Sequence, residues 1–351
     1  MTEQTKAQAI SREELSEFLD VAANFAEAVP GHDWAELDTG NEAAITKSWD
    51  GIREIGFDRC LVSEEGGGAG LGASALAALV EEIAAGEGGV AMLMLLANIA
   101  AAALPPALLS ETGQEARLAY VPAVGSRGRE DLAVKLSGGE LTGNAPFVLG
   151  GYAADGFVVA CDDGDGPALA FVAADAPGVT VRQIDDQLAL GAARAAQLIF
   201  SGTSATRLGG ADELARADAL LSSGTAAIAR GTARRARRLA QEYAENRYQG
   251  GTEIINHGAV RDMLARMSER ELGMPQPAAE SAGGALAVGL AGKIAITDAA
   301  VESTLDAIQV FGGMGYMRET GVEKLMRDAK YCQIYPRPNW AMRDDLLELQ
   351  R

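Results

Sequence analysis

Gly70-Leu-Gly72-Ala-Ser-Ala75 has the Gly-x-Gly-x-x-Ala spacing that lets a backbone close on the phosphates of a dinucleotide. That chemistry needs a strand before the glycines and a helix after them. No strand pattern precedes these, so the run reads as a loop between helices. Arg230, Arg234, Arg235, Arg237 and Arg238 crowd one helical stretch and could hold phosphate oxygens. Acids nearby make a face of ion pairs their expected use. Cys60, Cys161 and Cys332 are scattered without metal-like or redox spacing, and are expected to be small, half-buried hydrophobes. Their odd number and the polar start Met1-Thr-Glu-Gln-Thr-Lys6 point to reduced thiols in the cytoplasm. His32 and His257 are too few and too far apart for a metal, so no metal site is expected. No Ser-His-Asp or Cys-His arrangement stands out.

The elements that must position any site fall into three blocks. Hydrophobic residues make up 48% of the 351 and aromatics only 5%, a mixture that suits closely packed helices. A net charge of −19 argues against nucleic acid as a partner, because phosphate would be repelled. Residues 1–120 carry helical periodicity. Ser11 stands before Glu13 and Glu14 as an N-cap-like start, and further helices are expected around Trp49–Ile55, Ser74–Ile83 and Gly89–Leu104. The Ala-rich run Val90–Pro105 fits a buried core helix better than a membrane span. Residues 121–206 change character, with short apolar runs at Leu132–Leu136, Gly156–Cys161, Ala168–Val172, Val179–Ile184 and Ala195–Phe200. Turns such as Cys161-Asp-Asp-Gly-Asp-Gly-Pro167 separate them, which predicts a small, largely antiparallel β-domain. Residues 207–351 return to helix, with long patterns over Leu214–Tyr248, Ile254–Leu272 and Ser281–Val310. The fold class is α+β: helical domain, small β-domain, helical bundle.

Gln309-Val-Phe-Gly-Gly-Met-Gly-Tyr316, continuing through Val322-Glu-Lys-Leu-Met-Arg-Asp-Ala-Lys330 to Gln333-Ile-Tyr335, closely resembles the C-terminal signature of acyl-CoA dehydrogenases. These flavoenzymes desaturate acyl thioesters between the α and β carbons. The α, then β, then α order is their domain arrangement, with a four-helix bundle at the C-terminus. The resemblance implies FAD as hydride acceptor and a carboxylate as the base for the α-proton. It also implies that each FAD lies across a subunit interface, ring on one chain and ADP on its neighbour. By this resemblance Arg247 and Gln249, standing before His257-Gly-Ala259, would meet the pyrophosphate side. Gln309, Val310, Gly312 and Gly313 would approach the ADP portion. Gly250 replaces a phenylalanine of the family.

The other half of the expected site departs from the family. Tyr120-Val-Pro-Ala-Val-Gly-Ser-Arg-Gly-Arg-Glu-Asp131 lacks the Thr-Glu-Pro-x-Ala-Gly-Ser-Asp stretch that touches flavin and substrate. Phe147-Val148-Leu149 stands where Trp-Ile-Thr flanks the ring. After Tyr335, where many members carry the catalytic glutamate, the chain reads Pro336-Arg337-Pro338. The family's second base position falls on Leu221, with Asp218, otherwise a solvated helix acid, nearly one turn earlier. No catalytic residue is therefore assigned. The pattern predicts the subunit without the catalytic base in a heteromeric acyl-CoA dehydrogenase of the steroid side-chain type, an α2β2 assembly lending the ADP half-site to a related chain. Acyl-CoA would bind in the shared assembly, with electron-transferring flavoprotein as acceptor, in the cytoplasm and without membrane or nucleic acid. Two other readings stay open. One is a self-sufficient FAD homo-oligomer with a relocated base or different flavin chemistry, and the other is a flavin-free scaffold.

Overall fold

A computed structural model describes residues 10–28, 34–113, 115–123, 132–278 and 283–351. It opens with α1 (Arg12–Ala28), α2 (Trp34–Asp38), α3 (Glu42–Glu54), α4 (Ala73–Gly86), α5 (Gly88–Ala103) and α6 (Pro106–Thr112). The helix starts are chemical. Ser11 and Glu14 cap each other reciprocally, Glu14 N donating to Ser11 Oγ at 3.2 Å and Ser11 N to Glu14 Oε2 at 2.9 Å. Asn41 accepts from Ala44 N at the head of α3, and Glu87 accepts from Val90 N at 2.6 Å at the head of α5. α5 is buried from Gly88 to Ala101 and packs against α4 and α3. No helix among the described residues is long and apolar enough to cross a membrane.

The middle sheet holds β1 (Leu118–Val121), β2 (Val134–Ser137), β3 (Glu140–Val148), β4 (Gly156–Asp162), β5 (Pro167–Ala173), β6 (Val179–Gln183), β7 (Ala196–Ser204) and β8 (Thr206–Gly209). Their order is β6-β7-β3-β2-β4-β5-β8, with β1 beside β4. Pairing is antiparallel except where β1 and β2 run parallel to β4. The Asp162–Gly166 turn forms as its residues require: Asp162 and Asp163 accept from the backbone of Gly164, Asp165 and Gly166. β1, β3 and β8 escape the sequence pattern. Gly143, Asn144 and Pro146 hide β3, which is recruited by its neighbours β2 and β7 rather than by its own propensity. β1 lies in a stretch whose periodicity reads as helical.

The chain then forms α7 (Ala211–Asn246), the hairpin β9 (Tyr248–Gln249) and β10 (Thr252–Glu253), α8 (Gly258–Gly273), α9 (Gly283–Phe311), α10 (Val322–Cys332) and α11 (Asn339–Leu349). α8 runs against α7 and α9, tied by Arg237–Glu271 at 2.5 Å, Arg266–Asp306 at 3.1 Å and Arg270–Glu302 at 3.0 Å. α7 also joins the bundle to the first domain. Arg234 grips Glu82 at 2.7 and 2.8 Å, and Arg230 meets Glu81 at 3.4 Å, so much of the arginine cluster works as ion pairs. Gly231 makes this approach close enough: a Cβ there would sit 2.2 Å from the Glu81 carbonyl oxygen. Gly231→Ala gains about 1 kcal/mol of helix propensity but must push the α4 and α7 backbones apart, at about 1–3 kcal/mol. The clash is expected to win, and differential scanning calorimetry should find a lower melting midpoint. A raised midpoint would show that α4 yields freely.

Candidate functional site

Tyr243 of α7 stacks on Phe311 at the end of α9, ring centroids 4.2 Å apart and 15° from parallel. This pair sets the C-terminal ends of α7 and α9 side by side. Arg247 caps α7 in an extended conformation, and the hairpin after it turns on Gly250 (φ 69°) and Gly251 (φ 90°). A phenylalanine at 250 would be strained there. His257 Nε2 lies 2.9 Å from the Gln249 carbonyl oxygen and Tyr248 Oη donates to the Gly251 carbonyl at 2.7 Å, fixing the hairpin. Arg247, Gln249 and Gln309 are exposed, and their side chains have no partner among the described residues. Val310 is buried with Phe311 in the bundle core, which leaves its main chain as the part able to meet a ligand. Gly312 needs its positive φ of 59°, whereas a Cβ on Gly313 would meet nothing within 4 Å. Packing within this chain does not require glycine at 313. Among the described residues, one end of the bundle thus presents a guanidinium and two amides without partners, and open glycine backbone at 312 and 313.

The opposite end of α7 borders a cavity of about 450 Å³. Ala215, Asp218 and Ala219 of α7, Leu286 of α9, and Pro336 and Arg337 are among its walls. Both candidate base positions therefore converge there, but not as the spacing predicts. Leu221 is fully buried in the core, while Asp218 faces the cavity. Asp218 is no solvated helix acid: Tyr120, brought across by β1, donates to its Oδ1 at 2.6 Å. Tyr335 is buried and stacks on Tyr331 at 5.6 Å; its hydroxyl, without a partner among the described residues, is pushed upward in pKa by burial and by the Asp218 charge. Phe147 packs 6.3 Å from the Tyr331 ring.

The segment carrying Pro336 is stapled to α9. Lys293 Nζ donates to Asn339 Oδ1 at 2.7 Å and to the Arg337 carbonyl at 3.1 Å. Asn339 donates onward to Thr297 and Asp298. Burial pushes the Lys293 ammonium down to about 8. At about 1.5 Å per residue, the run of α7 from Asp218 to Arg247 is roughly 44 Å long.

The remaining candidates resolve simply. All three cysteines are buried, and burial pushes their thiols up to about 12. Gly70–Gly72 lead from a loop into α4, as expected. His32 and residues 124–131 lie outside the described residues, and among those described no cluster could hold a metal ion.

Models of the acyl-CoA dehydrogenase N-terminal domain and C-terminal domain match residues 12–126 and 223–346, together about two thirds of the chain. The chain belongs to the acyl-CoA dehydrogenase family. It is 33% identical over 217 residues to an acyl-CoA dehydrogenase of Bacillus subtilis (strain 168), and the alignment spans 57% of each protein. The chain thus covers little more than half the length of that curated relative. A variant steroid ACAD (Tcur3481-Tcur3483) superposes with a TM-score of 0.83 at 21% identity, covering 96% of this chain and 98% of that one. The FAD complex of PigA gives 0.84 at 21% identity, covering 98% and 100%. At such identity these structures establish the fold of helical, β and helical domains.

Proposed function

We propose that this chain is the subunit of a two-chain, FAD-dependent acyl-CoA dehydrogenase that lends the ADP half of an interfacial FAD site to a related, catalytic chain. The observation that carries this reading is the roughly 44 Å of α7 between the Arg247 end and the cavity. A single dinucleotide cannot reach both, so the two ends of this chain serve different ligands. The Arg247 end fits the phosphorylated half of FAD. Its unpartnered guanidinium supplies paired donors to diphosphate oxygens, a local cation on a chain of net charge −19. Gln249 and Gln309 offer amides, and nothing lies within 4 Å of where a Cβ would stand on Gly312 or Gly313; Val310 would contribute main chain alone. When bound, FAD supplies the acceptor for hydride from the acyl β-carbon. Pro336 has no group that can take a proton, so removal of the α-proton falls to the catalytic chain.

We further propose a bulky, ring-bearing acyl-CoA as substrate, in keeping with a fold shared with a steroid ACAD, an α2β2 assembly, and electron-transferring flavoprotein as the electron acceptor. Flavin absorbance per chain tests the proposal. The chain purified alone is expected to be colourless, and yellow at about one FAD per pair with its related chain. One FAD per chain in the isolated protein would overturn it.

A second reading is favoured by Asp218, a carboxylate in the same cavity as Pro336 and oriented by Tyr120. In that reading the chain is a self-sufficient flavoenzyme with a displaced base. Asp218→Asn is then expected to lower turnover by at least about a hundredfold with flavin retained. Full turnover in that variant would remove Asp218 from the chemistry.

A further inference from the structure

Arg337 carries two donors that the fold leaves unused. Its Nη1 pairs with Asp345, but Nε and Nη2, the parallel donors on the other edge, are buried without an acceptor among the described residues. Arg327 shows how this chain fills such an edge. There Nε and Nη2 hold the Glu323 carboxylate at 2.6 and 3.1 Å, while the remaining edge meets Asp38. The Arg337 main chain is held by Lys293, so its side chain stays beside the cavity it lines.

The rest of that lining is mostly apolar, including Ala215, Leu286 and Leu290. Its acids are engaged elsewhere. Asp345 already pairs with Arg337, Glu348 is exposed beside Arg351, and Asp218 accepts from Tyr120. No carboxylate of the described chain fills the open edge. Two parallel donors match a two-oxygen acceptor, and an apolar cavity with one such polar anchor is the usual form of a small-molecule site. Turning the guanidinium edge into the cavity is favoured once an acceptor arrives, because its present position leaves both donors unsatisfied.

We infer that the cavity binds an apolar molecule ending in a carboxylate, with Arg337 as the anchor. Pro336 adds no ionisable group to this cavity. The inference goes beyond the ADP half-site and stands without it, since binding is read on the full chain with no flavin present.

Isothermal titration with octanoate and with 1-octanol tests it. Octanoate is expected to bind saturably and at least about tenfold more tightly than the alcohol. Arg337→Met should erase that preference, and Arg337→Lys, which keeps the charge but not the fork, should retain some of it. Equal affinities, no saturable binding at millimolar octanoate, or a preference that survives Arg337→Met would each overturn the assignment. If the methionine variant does not fold, the wild-type comparison and the lysine variant decide. Octanedioyl-CoA tells the two sources of such a carboxylate apart: tighter binding than octanoate indicates the far end of an acyl-CoA, and weaker binding a free acid. Absent FAD in the two-chain complex would sink the half-site reading while leaving these titrations untouched.

Discussion

Lys324→Met should cost the fold about 3–5 kcal/mol, the largest loss expected from any one change of charge here. Lys324 is 4% exposed, and its ammonium lies 2.5 Å from both Glu87 Oε1 and Asp328 Oδ2. Burial alone would lower its pKa, but the two carboxylates outweigh burial and push it up. Each carboxylate has a second duty. Glu87 caps α5 through Val90 N, and Asp328 accepts from Leu190 N at 2.7 Å, in a loop of the middle domain where Leu190 has φ 54°. One ammonium thus holds together the first helical domain, the β-domain and α10.

Without it, two carboxylates face each other in the interior, and Asp328, whose carboxyl burial already pushes upward in pKa, loses the ammonium that offsets this. A carboxyl shifted that way weakens the fold at neutral pH and regains ground as pH falls and it takes up a proton. The deficit of Lys324→Met should therefore shrink between neutral pH and about pH 5. Thermal midpoints of both proteins across that range check both claims. A midpoint unchanged at neutral pH would mean that water reaches the pair and the network contributes little.

The largest effect on ligand binding is expected from Arg247→Ala. The side chain is exposed and has no partner among the described residues, so its loss should leave the fold and the thermal midpoint unchanged. Charge-assisted hydrogen bonds to a diphosphate are worth about 1.5–3 kcal/mol, so FAD should bind the two-chain complex roughly ten- to a hundredfold more weakly. Arg247→Lys should recover some of this, because an ammonium keeps the charge but loses the paired donors. Titrating FAD into the apo complex and following its fluorescence gives the two constants. Equal affinity in wild type and Arg247→Ala would take away the anchor of the half-site reading. A lowered melting midpoint would assign Arg247 to the fold instead.

Much of the fold was legible because its signals are local. The reciprocal cap of Ser11 and Glu14, the aspartates and glycines at 162–166, and the apolar run of α5 act within a few residues of themselves. Such signals do not depend on the rest of the chain. The same holds for the run from Gln309 to Tyr335, and for Pro336, whose ring excludes a base in any fold. β3 and β8 were not legible, because partner strands rather than their own residues make them strands.

The sequence by itself determined the element chemistry, the family signature and a proline at the position after Tyr335. The tertiary structure decided where these meet. Asp218 became a cavity wall because β1 carries Tyr120 to it across 98 residues of chain. Lys324, in the sequence only one residue of the signature run, became the buried tie between three domains. The residues proposed for the ADP side and the cavity fell at opposite ends of one unbroken helix. Each outcome depends on which distant segments pack together, and that is set by the balance of burial over the whole chain rather than by any residue's neighbours.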